Sequence, residues 1–206
     1  NAVLGFSELL METVQDETSY EHLKAIQASG SGLLVLINDI LDLSKIEAGK
    51  ISLEEQDTDL GLLVNEISTL YQLQAKQKGV HFKVELTGSY QRRVRLDEVR
   101  LRQILVNLVG NAVKFTHQGS VTLSLFVGEG ESGQAMVRAA VSDSGVGIPE
   151  DQLDMIFEAF VQKMAQDSKV YGGTGLGLSI SRRLAELMGG SLEVESCLSS
   201  GSTFTL

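Results

Sequence analysis

Two asparagines and a lysine share one face of a predicted helix over residues 101–117. Asn107, Asn111 and Lys114 are spaced at i, i+4 and i+7, which stacks their side chains in one row. An amide oxygen is a hard, neutral ligand that suits Mg²⁺, and a lysine ammonium is a point charge for phosphate. The row by itself is also typical of a solvated helix face, next to a core stripe made of Leu101, Leu105, Leu108 and Ala112.

The segment Asp143-Ser-Gly-Val-Gly-Ile148 places a carboxylate at the end of a predicted strand. Because apolar residues alternate at 137, 139 and 141, we expect Asp143 on the same core-facing side. A carboxylate there needs donors, and the exocyclic amine of adenine is one, whereas guanine presents a carbonyl. Gly145 and Gly147 lack side chains where a flat base would approach the backbone. Taken alone, the segment also fits a strand-ending turn with a capping aspartate.

A glycine-rich segment, Gly172-Gly-Thr-Gly-Leu-Gly-Leu178, opens a helix predicted over residues 175–188. Glycines at a helix start leave backbone N–H groups at the positive end of the helix dipole, which suits a polyphosphate. The segment is not a P-loop, since no lysine follows the glycines, and its spacing differs from the dinucleotide-binding pattern. A flexible helix entry is the alternative. The polar stretch before it, residues 161–171, is typical of a loop that closes over a ligand.

Composition limits the classes of partner and compartment. The net charge of -10 and the pI near 4.8 argue against nucleic acid or an anionic membrane surface as a main partner. A single cysteine, Cys197, excludes an internal disulfide and fits a reducing compartment. No continuous apolar run approaches transmembrane length, and no signal peptide is recognised. The chain starts at Asn1 in mid-pattern, so we expect it to be part of a longer protein.

The first fifty residues predict two amphipathic helices. One covers residues 1–15, and a second, longer one runs to about Ala48, with Thr18 and Glu21 as a predicted capping box at its start. Its apolar stripe is too wide for one short partner helix to cover. Two such hairpins facing each other would cover it, which predicts a homodimeric four-helix bundle.

From residue 51 onward the pattern changes to mixed helices and strands. Asp59 is predicted to cap a helix that runs to about Gln77, and residues 150–160 are predicted as a short helix. Strands are predicted around residues 80–86, 121–125, 137–141, 192–194 and 203–206. We therefore predict an α+β chain: a helical hairpin over residues 1–53, then an α/β sandwich over residues 54–206 with a mixed sheet and helices on one face.

The order of these motifs resembles the N, G1, F, G2 and G3 boxes of the sensor histidine kinases of two-component systems, within the GHKL ATPase superfamily. In addition, Leu43-Ser-Lys-Ile-Glu-Ala-Gly-Lys50 resembles the helix end that joins the dimerisation and catalytic domains of that family. The resemblance covers nearly the whole chain. The five boxes correspond in order to Asn107…Asn111…Lys114, Asp143-x-Gly-x-Gly, Phe157…Phe160, Gly173-x-Gly-x-Gly and Gly201-Ser-Thr-Phe.

The resemblance implies a kinase that binds Mg-ATP and transfers the γ-phosphoryl to a histidine, for relay to the aspartate of a receiver domain. It implies Asn111 as the Mg²⁺ ligand, Asn107 and Lys114 at the phosphates, and Asp143 at adenine N6. Phe115 is implied to pack near the base. The remaining ATP-binding residues implied in this way are Gly145, Gly147, Ile148, Lys169, Tyr171, Gly173, Thr174, Gly175, Leu176, Gly177, Leu178 and Thr203.

Two features depart from the family pattern. The phosphoacceptor histidine and its adjacent acidic residue belong to a His-Glu-x-x-x-Pro-Leu type motif, and Asn1 to Phe6 resembles the segment immediately C-terminal to that motif. We therefore expect the acceptor about two helical turns before residue 1, no catalytic residue in this chain, and no self-phosphorylation. The histidines present, His22, His81 and His117, are predicted to be structural or exposed.

The second departure lies in the polar stretch before the glycine-rich segment. There, Lys169-Val-Tyr171 differs from the basic pair that usually precedes the aromatic residue. Whether Lys163 or Lys169 reaches the γ-phosphate stays open.

The implied partners are a second copy of the chain, bound through the hairpin, and a response-regulator receiver domain. Neither nucleic acid nor direct membrane contact is expected. The expected location is the cytoplasm, either free or as the cytosolic part of a membrane-anchored sensor.

A GHKL-type ATP hydrolase is the first alternative function. Its water-activating members resemble one another in carrying a glutamate where this chain has Asn107, and an amide cannot act as a general base. A non-catalytic dimerisation module that keeps the pocket as a relic is the second.

Overall fold

The computed structural model describes residues 2–89, 91, 93–130, 133–160 and 174–206. It opens with a helical hairpin of α1 (Ala2–Thr13) and α2 (Glu17–Glu47). Asp16 caps α2, because its carboxylate accepts the backbone N–H of Ser19 at 2.8 Å. The predicted capping box of Thr18 and Glu21 is therefore wrong, since both residues already lie inside the first turns of the helix.

The hairpin leaves much of its apolar surface uncovered. No residue of α2 is buried, and the apolar side chains of both helices are 40% exposed or more at many positions. An 18-residue window of α2 has a mean hydropathy of 1.2, so this helix could cross a membrane by length and composition alone. The most exposed of the apolar residues are Val3, Phe6, Leu9, Leu10, Ile26, Leu33, Val35, Ile37 and Leu41.

The rest of the chain is built on a mixed sheet. The described strands are β1 (Gln56–Thr58), β2 (Val80–Gly88), β3 (Val94–Leu96), β4 (Gly119–Glu129), β5 (Ala135–Asp143), β6 (Glu193–Cys197) and β7 (Gly201–Thr205). Five of them form the sheet in the order β2-β4-β5-β7-β6, in which β2 and β4 are parallel and the other neighbours antiparallel. A separate pair, β1 with β3, is too short to show an alternation and was not predicted.

Three helices, α3 (Leu60–Gln77), α4 (Glu98–Phe115) and α5 (Gly177–Leu187), bury their apolar stripes against one face of this sheet. Asp59 caps α3 as predicted, with its carboxylate 2.9 Å from the N–H of Leu62. The core is formed by alternate residues of β4 and β5 and by the inner sides of the three helices. The predicted α+β fold with a mixed sheet is confirmed.

One predicted helix and the predicted start of another need correction. Residues 150–160 contain two 3₁₀ turns, Glu150–Gln152 and Met155–Phe157, instead of one helix. Each is closed by a backbone bond three residues back, and Glu158 then turns to an extended conformation that ends the run. Helix α5 begins at Gly177, two residues later than predicted, because Gly175 has a positive φ of 70° that no α-helix allows.

Candidate functional site

Asp143 is the last residue of β5, and its carboxylate is held by the backbone on two sides. Its Oδ1 accepts the N–H of Gly145 at 2.8 Å, and a second backbone hydrogen bond comes from Ser202 on β7. Burial raises the pKa of Asp143 above its ordinary value, and these two backbone donors oppose that rise. Two carboxylate oxygens accept about four hydrogen bonds, so the group has capacity for a further donor such as an exocyclic amine.

Glycines line the turn beyond Asp143 where no side chain would fit. A Cβ on Gly145 would lie 2.6 Å from the backbone oxygen of Phe115 and 2.8 Å from Asp143 Oδ1. One on Gly147, which has φ +66°, would meet the backbone oxygen of Cys197. Ile148 closes the turn, because its N–H donates to Ser196 Oγ at 2.8 Å and its side chain packs on the core. The turn is thereby pressed against the end of α4 on one side and the β6–β7 hairpin on the other.

Register decides which residue of β7 belongs to this site. Asp143 pairs with Ser202, whereas Thr203 pairs with Ser142 and its hydroxyl lies 3.0 Å from Ser142 Oγ. Directly paired residues in antiparallel strands share a face, so Thr203 points to the opposite side of the sheet from Asp143. The structure therefore does not bring Thr203 to the site, and Ser202, only 7% exposed, takes its place. The apolar Phe204, two residues on, was the signal for this assignment, since it had to face the core.

The predicted row on α4 is present. Asn107 Nδ2 donates to Ser181 Oγ on α5 at 2.9 Å, and Asn111 Nδ2 lies 3.4 Å from Asn107 Oδ1. Gly177, the first residue of α5, packs so closely on Asn107 that a Cβ there would collide with its amide oxygen. The amide row and the start of α5 therefore form one packed unit, and the contribution of Ser181 to it was missed from the sequence.

Lys114 and Phe115 continue the row at the end of α4. The Lys114 ammonium lies 4.9 Å from the centre of the Phe115 ring, and burial lowers the pKa of Lys114. Lys78, at the end of α3, donates to the backbone oxygens of Val113 at 2.6 Å and Lys114 at 2.8 Å. A cation on the last carbonyls of a helix suits the negative end of its dipole, so Lys78 fixes the end of α4 on which the site depends.

The start of α5 is suited to an anion. Leu176, fully buried, precedes the helix, and among the described residues no side chain caps the first turn. The N–H of Leu176 donates to Thr174 Oγ1 at 3.2 Å, and the side chain of Leu178 packs against the core. An uncapped helix start with glycine in its first turn can donate backbone N–H groups to phosphate oxygens. The predictions for Lys163, Lys169, Tyr171 and Gly173 fall outside the described residues.

These pieces together favour an adenine nucleotide with a hard cation. The carboxylate of Asp143 could accept a hydrogen bond from the base, the amide row on α4 could ligate a cation, and the helix start of α5 could donate to an anion. Among the residues that the structure describes, no cluster of three or more His, Cys, Asp or Glu side chains could hold a metal ion. A cation here would therefore share its ligands between an amide such as that of Asn111, the nucleotide phosphates and water, as Mg²⁺ commonly does.

Comparison with known protein families agrees with this geometry. A family model described as "Histidine kinase-, DNA gyrase B-, and HSP90-like ATPase" matches residues 96–206, more than half of the chain. The chain belongs to this ATPase family. A second model, "His Kinase A (phospho-acceptor) domain", matches residues 1–49 and implies dimerisation through the α1–α2 hairpin of this histidine kinase chain. The interpretation as the dimerisation and ATPase domains of a histidine kinase is confirmed.

Related proteins are sensor kinases of greater length. The chain is 43% identical over 207 residues to the aerobic respiration control sensor protein ArcB of Escherichia coli (strain K12). It is 39% identical over 206 residues to the autoinducer 2 sensor kinase/phosphatase LuxQ of Vibrio cholerae. In both alignments the whole of this chain is covered, but it spans only 26% and 24% of the relatives' own lengths.

Solved structures of histidine kinases share the architecture. Full-length ShkA in complex with AMPPNP superposes with a TM-score of 0.81 and 36% identity, over 98% of this chain and 41% of that one. Histidine kinase ThkA in complex with the response regulator protein TrrA gives a TM-score of 0.64 and 25% identity, over 99% of this chain and 55% of that one. Acinetobacter baumannii AdeS, at 21% identity and a TM-score of 0.69, has the same fold over 99% of this chain and 91% of its own.

Proposed function

We propose that this chain is the catalytic core of a dimeric protein-histidine kinase that binds Mg-ATP and transfers the γ-phosphoryl to a histidine. In this proposal Asp143 accepts a hydrogen bond from adenine N6, and Ser202 supports Asp143 through its backbone. The α5 start and Lys114 hold the phosphates, and Asn111 ligates the cation. When bound, Mg²⁺ would neutralise charge on the phosphates, and the protein contributes mainly by positioning.

The amide of Asn107 favours phosphoryl transfer over hydrolysis. A hydrolase needs a group that takes a proton from the attacking water, and a neutral amide has no such capacity. Both ends of this amide are also engaged, with Ser181 on one side and Gly177 and Asn111 on the other. With an amide at this position, transfer to a nucleophile supplied by another segment is favoured, and the hairpin of the phospho-acceptor type is the segment suited to supply it.

We place the relay partner among receiver domains and the chain in the cytoplasm. The first assignment is supported by the ThkA neighbour, whose structure contains a response regulator protein. The second is supported by the need for ATP and by the single unpaired Cys197. We propose no contact of this chain with nucleic acid or with a membrane.

Phosphoryl transfer in trans tests the kinase assignment. The chain would be mixed with labelled ATP and a longer histidine kinase chain that includes the acceptor histidine and carries Asn111→Ala. We expect label on the longer chain only, in an acid-labile, base-stable form typical of a phosphoramidate. Release of inorganic phosphate without any labelled chain would instead favour a hydrolase. Acid-labile label on the shorter chain would show that His22, His81 or His117 accepts phosphate.

A further inference from the structure

Ser181 is a buried hydroxyl that belongs to none of the recognised motifs. It lies in the middle of α5 and is only 2% exposed. Its Oγ accepts the Nδ2–H of Asn107 at 2.9 Å, from a residue 74 positions earlier in the chain. Buried hydroxyls are kept where they satisfy a specific partner, and here that partner is an amide of the proposed nucleotide site.

This hydrogen bond anchors the side-chain amide of Asn107 on α5. A primary amide is planar, with two donors on nitrogen and acceptor lone pairs on oxygen. With Nδ2 on Ser181, the oxygen of Asn107 faces Gly177 and lies 3.4 Å from Asn111 Nδ2. If Asn107 alone turned over, its nitrogen would face the nitrogen of Asn111, so the orientations of the two amides are coupled.

Through this coupling, the anchored amide of Asn107 positions the amide of Asn111. Because the nitrogen of Asn111 faces Asn107, its oxygen is directed to the other side of the amide group. Only that oxygen can ligate a hard cation, since an amide NH₂ group repels one. Resting on the function proposed above, we propose that Ser181 is a positioning residue for the cation site, acting through Asn107 to present the oxygen of Asn111.

Replacing Ser181 by alanine removes the acceptor and leaves everything else in place. The partly buried Nδ2 of Asn107 then has no partner on α5, which destabilises the observed position of the amide. Asn111 loses its fixed partner as a result, so its oxygen is presented to the cation for only part of the time. Asp143 belongs to another wall of the site, and its hydrogen bonds do not involve α5.

The experiment measures how strongly Mg²⁺ improves ADP binding. Calorimetric dissociation constants would be determined with Mg²⁺ and with a chelator, for the unmodified chain, Ser181→Ala and Ser179→Ala. Ser179 is a matched control: it is 6% exposed on the same helix, but its hydroxyl donates to its own helix at Leu176 O, 2.8 Å away. For Ser181→Ala we expect the Mg²⁺ enhancement to fall about tenfold, with metal-free binding within about twofold of the unmodified chain. Ser179→Ala should keep the full enhancement, and Ser181→Thr, which retains the hydroxyl, should restore it.

The outcomes separate this inference from the proposed function. An unchanged Mg²⁺ enhancement in Ser181→Ala would overturn the positioning role while leaving the nucleotide site intact. Equal losses with and without Mg²⁺ would also overturn it, because they indicate a general packing defect. Failure of the unmodified chain to bind ADP would contradict the proposed function itself.

Discussion

Thr174 donates a hydrogen bond to Asp39 on α2 across 135 positions of the chain, at 2.8 Å. Thr174 belongs to the second glycine box and also accepts the N–H of Leu176 at the start of α5. Beside it, Gln103 of α4 donates to Asp42 of α2, also at 2.8 Å. Two carboxylates of the dimerisation helix therefore hold the nucleotide-binding unit by its second glycine box and by α4. Burial raises the pKa of Asp39, and the Thr174 hydroxyl opposes that rise.

Replacing Thr174 by valine should loosen this docked arrangement. Valine keeps the shape of threonine but leaves the partly desolvated carboxylate of Asp39 without its donor, which disfavours the docked state. Distances between spin labels on α2 and α5 should become longer and more broadly distributed. The control is Thr69→Val, since the exposed Thr69 hydroxyl donates only to Asn65 O in its own helix. A distance distribution unchanged by Thr174→Val would show that other contacts hold the two units together.

The exposed apolar stripe of the hairpin should make the chain dimeric. Ile37 is 44% exposed and Leu41 50% exposed, and a monomer would present them with their neighbours as an unusually large apolar patch. Changing both to lysine should give soluble monomer or aggregate in light scattering. The same change at Leu70 and Leu73, which are also exposed but lie on α3, should leave the dimer intact. A monomeric unmodified chain would remove the hairpin from this role, unless a longer helix start is needed for pairing.

The pH dependence of nucleotide binding should follow the carboxyl of Asp143. Since its pKa is raised by burial, acidification protonates it at a higher pH than an ordinary aspartate. The acid form has lost its negative charge and carries an O–H donor, so it accepts less strongly from the adenine amine. ADP affinity should therefore fall as the pH drops through this raised pKa. Calorimetry from neutral pH downward would measure it, and Asp143→Asn should abolish this component of the pH dependence.

The Asp143 carboxyl affects folding stability in the opposite direction, since acidification increases its contribution to stability while it lowers ADP affinity. The folded state binds the Asp143 proton more tightly than the unfolded state does, so this contribution to stability is complete below the unfolded pKa of about 3.9. It is lost as the pH rises through the folded pKa. The difference in denaturation midpoint between the unmodified chain and Asp143→Asn should thus shift in favour of the unmodified chain on acidification. A constant difference would contradict the raised pKa.

The sequence predicted the elements with strong periodicity or clear caps. The stripes of α3 and α4, the cap at Asp59 and the alternation in β4 and β5 are local properties, and the structure contains all of them. One residue was assigned to the wrong side of the sheet. Thr203 came from the family resemblance, although Phe204 has to face the core and the alternation along the strand then places Ser202, and not Thr203, on the side of Asp143.

The links between distant segments could not be read from the sequence. The hydrogen bonds from Asn107 to Ser181 and from Thr174 to Asp39 join residues 74 and 135 positions apart. No pattern in the sequence around Ser181 or Asp39 signals such a contact. The helix predicted over residues 150–160 failed for a different reason. Its pattern was short, and short apolar patterns do not distinguish an α-helix from successive 3₁₀ turns.

Comparing ADP with GDP tests the central claim, that Asp143 makes this an adenine nucleotide site, most directly. Calorimetric titration in Mg²⁺ would be done with the unmodified chain, Asp143→Asn, and Asp151→Asn as an exposed control in the first 3₁₀ turn. We expect the unmodified chain and the control to prefer ADP by roughly 10- to 100-fold, since a partly buried carboxylate facing the guanine carbonyl costs about 1–3 kcal/mol. Asp143→Asn should bind ADP more weakly. It should also reduce the preference for ADP over GDP, because the asparagine amide can donate to the guanine carbonyl. Equal affinities of the unmodified chain for ADP and GDP would contradict the account.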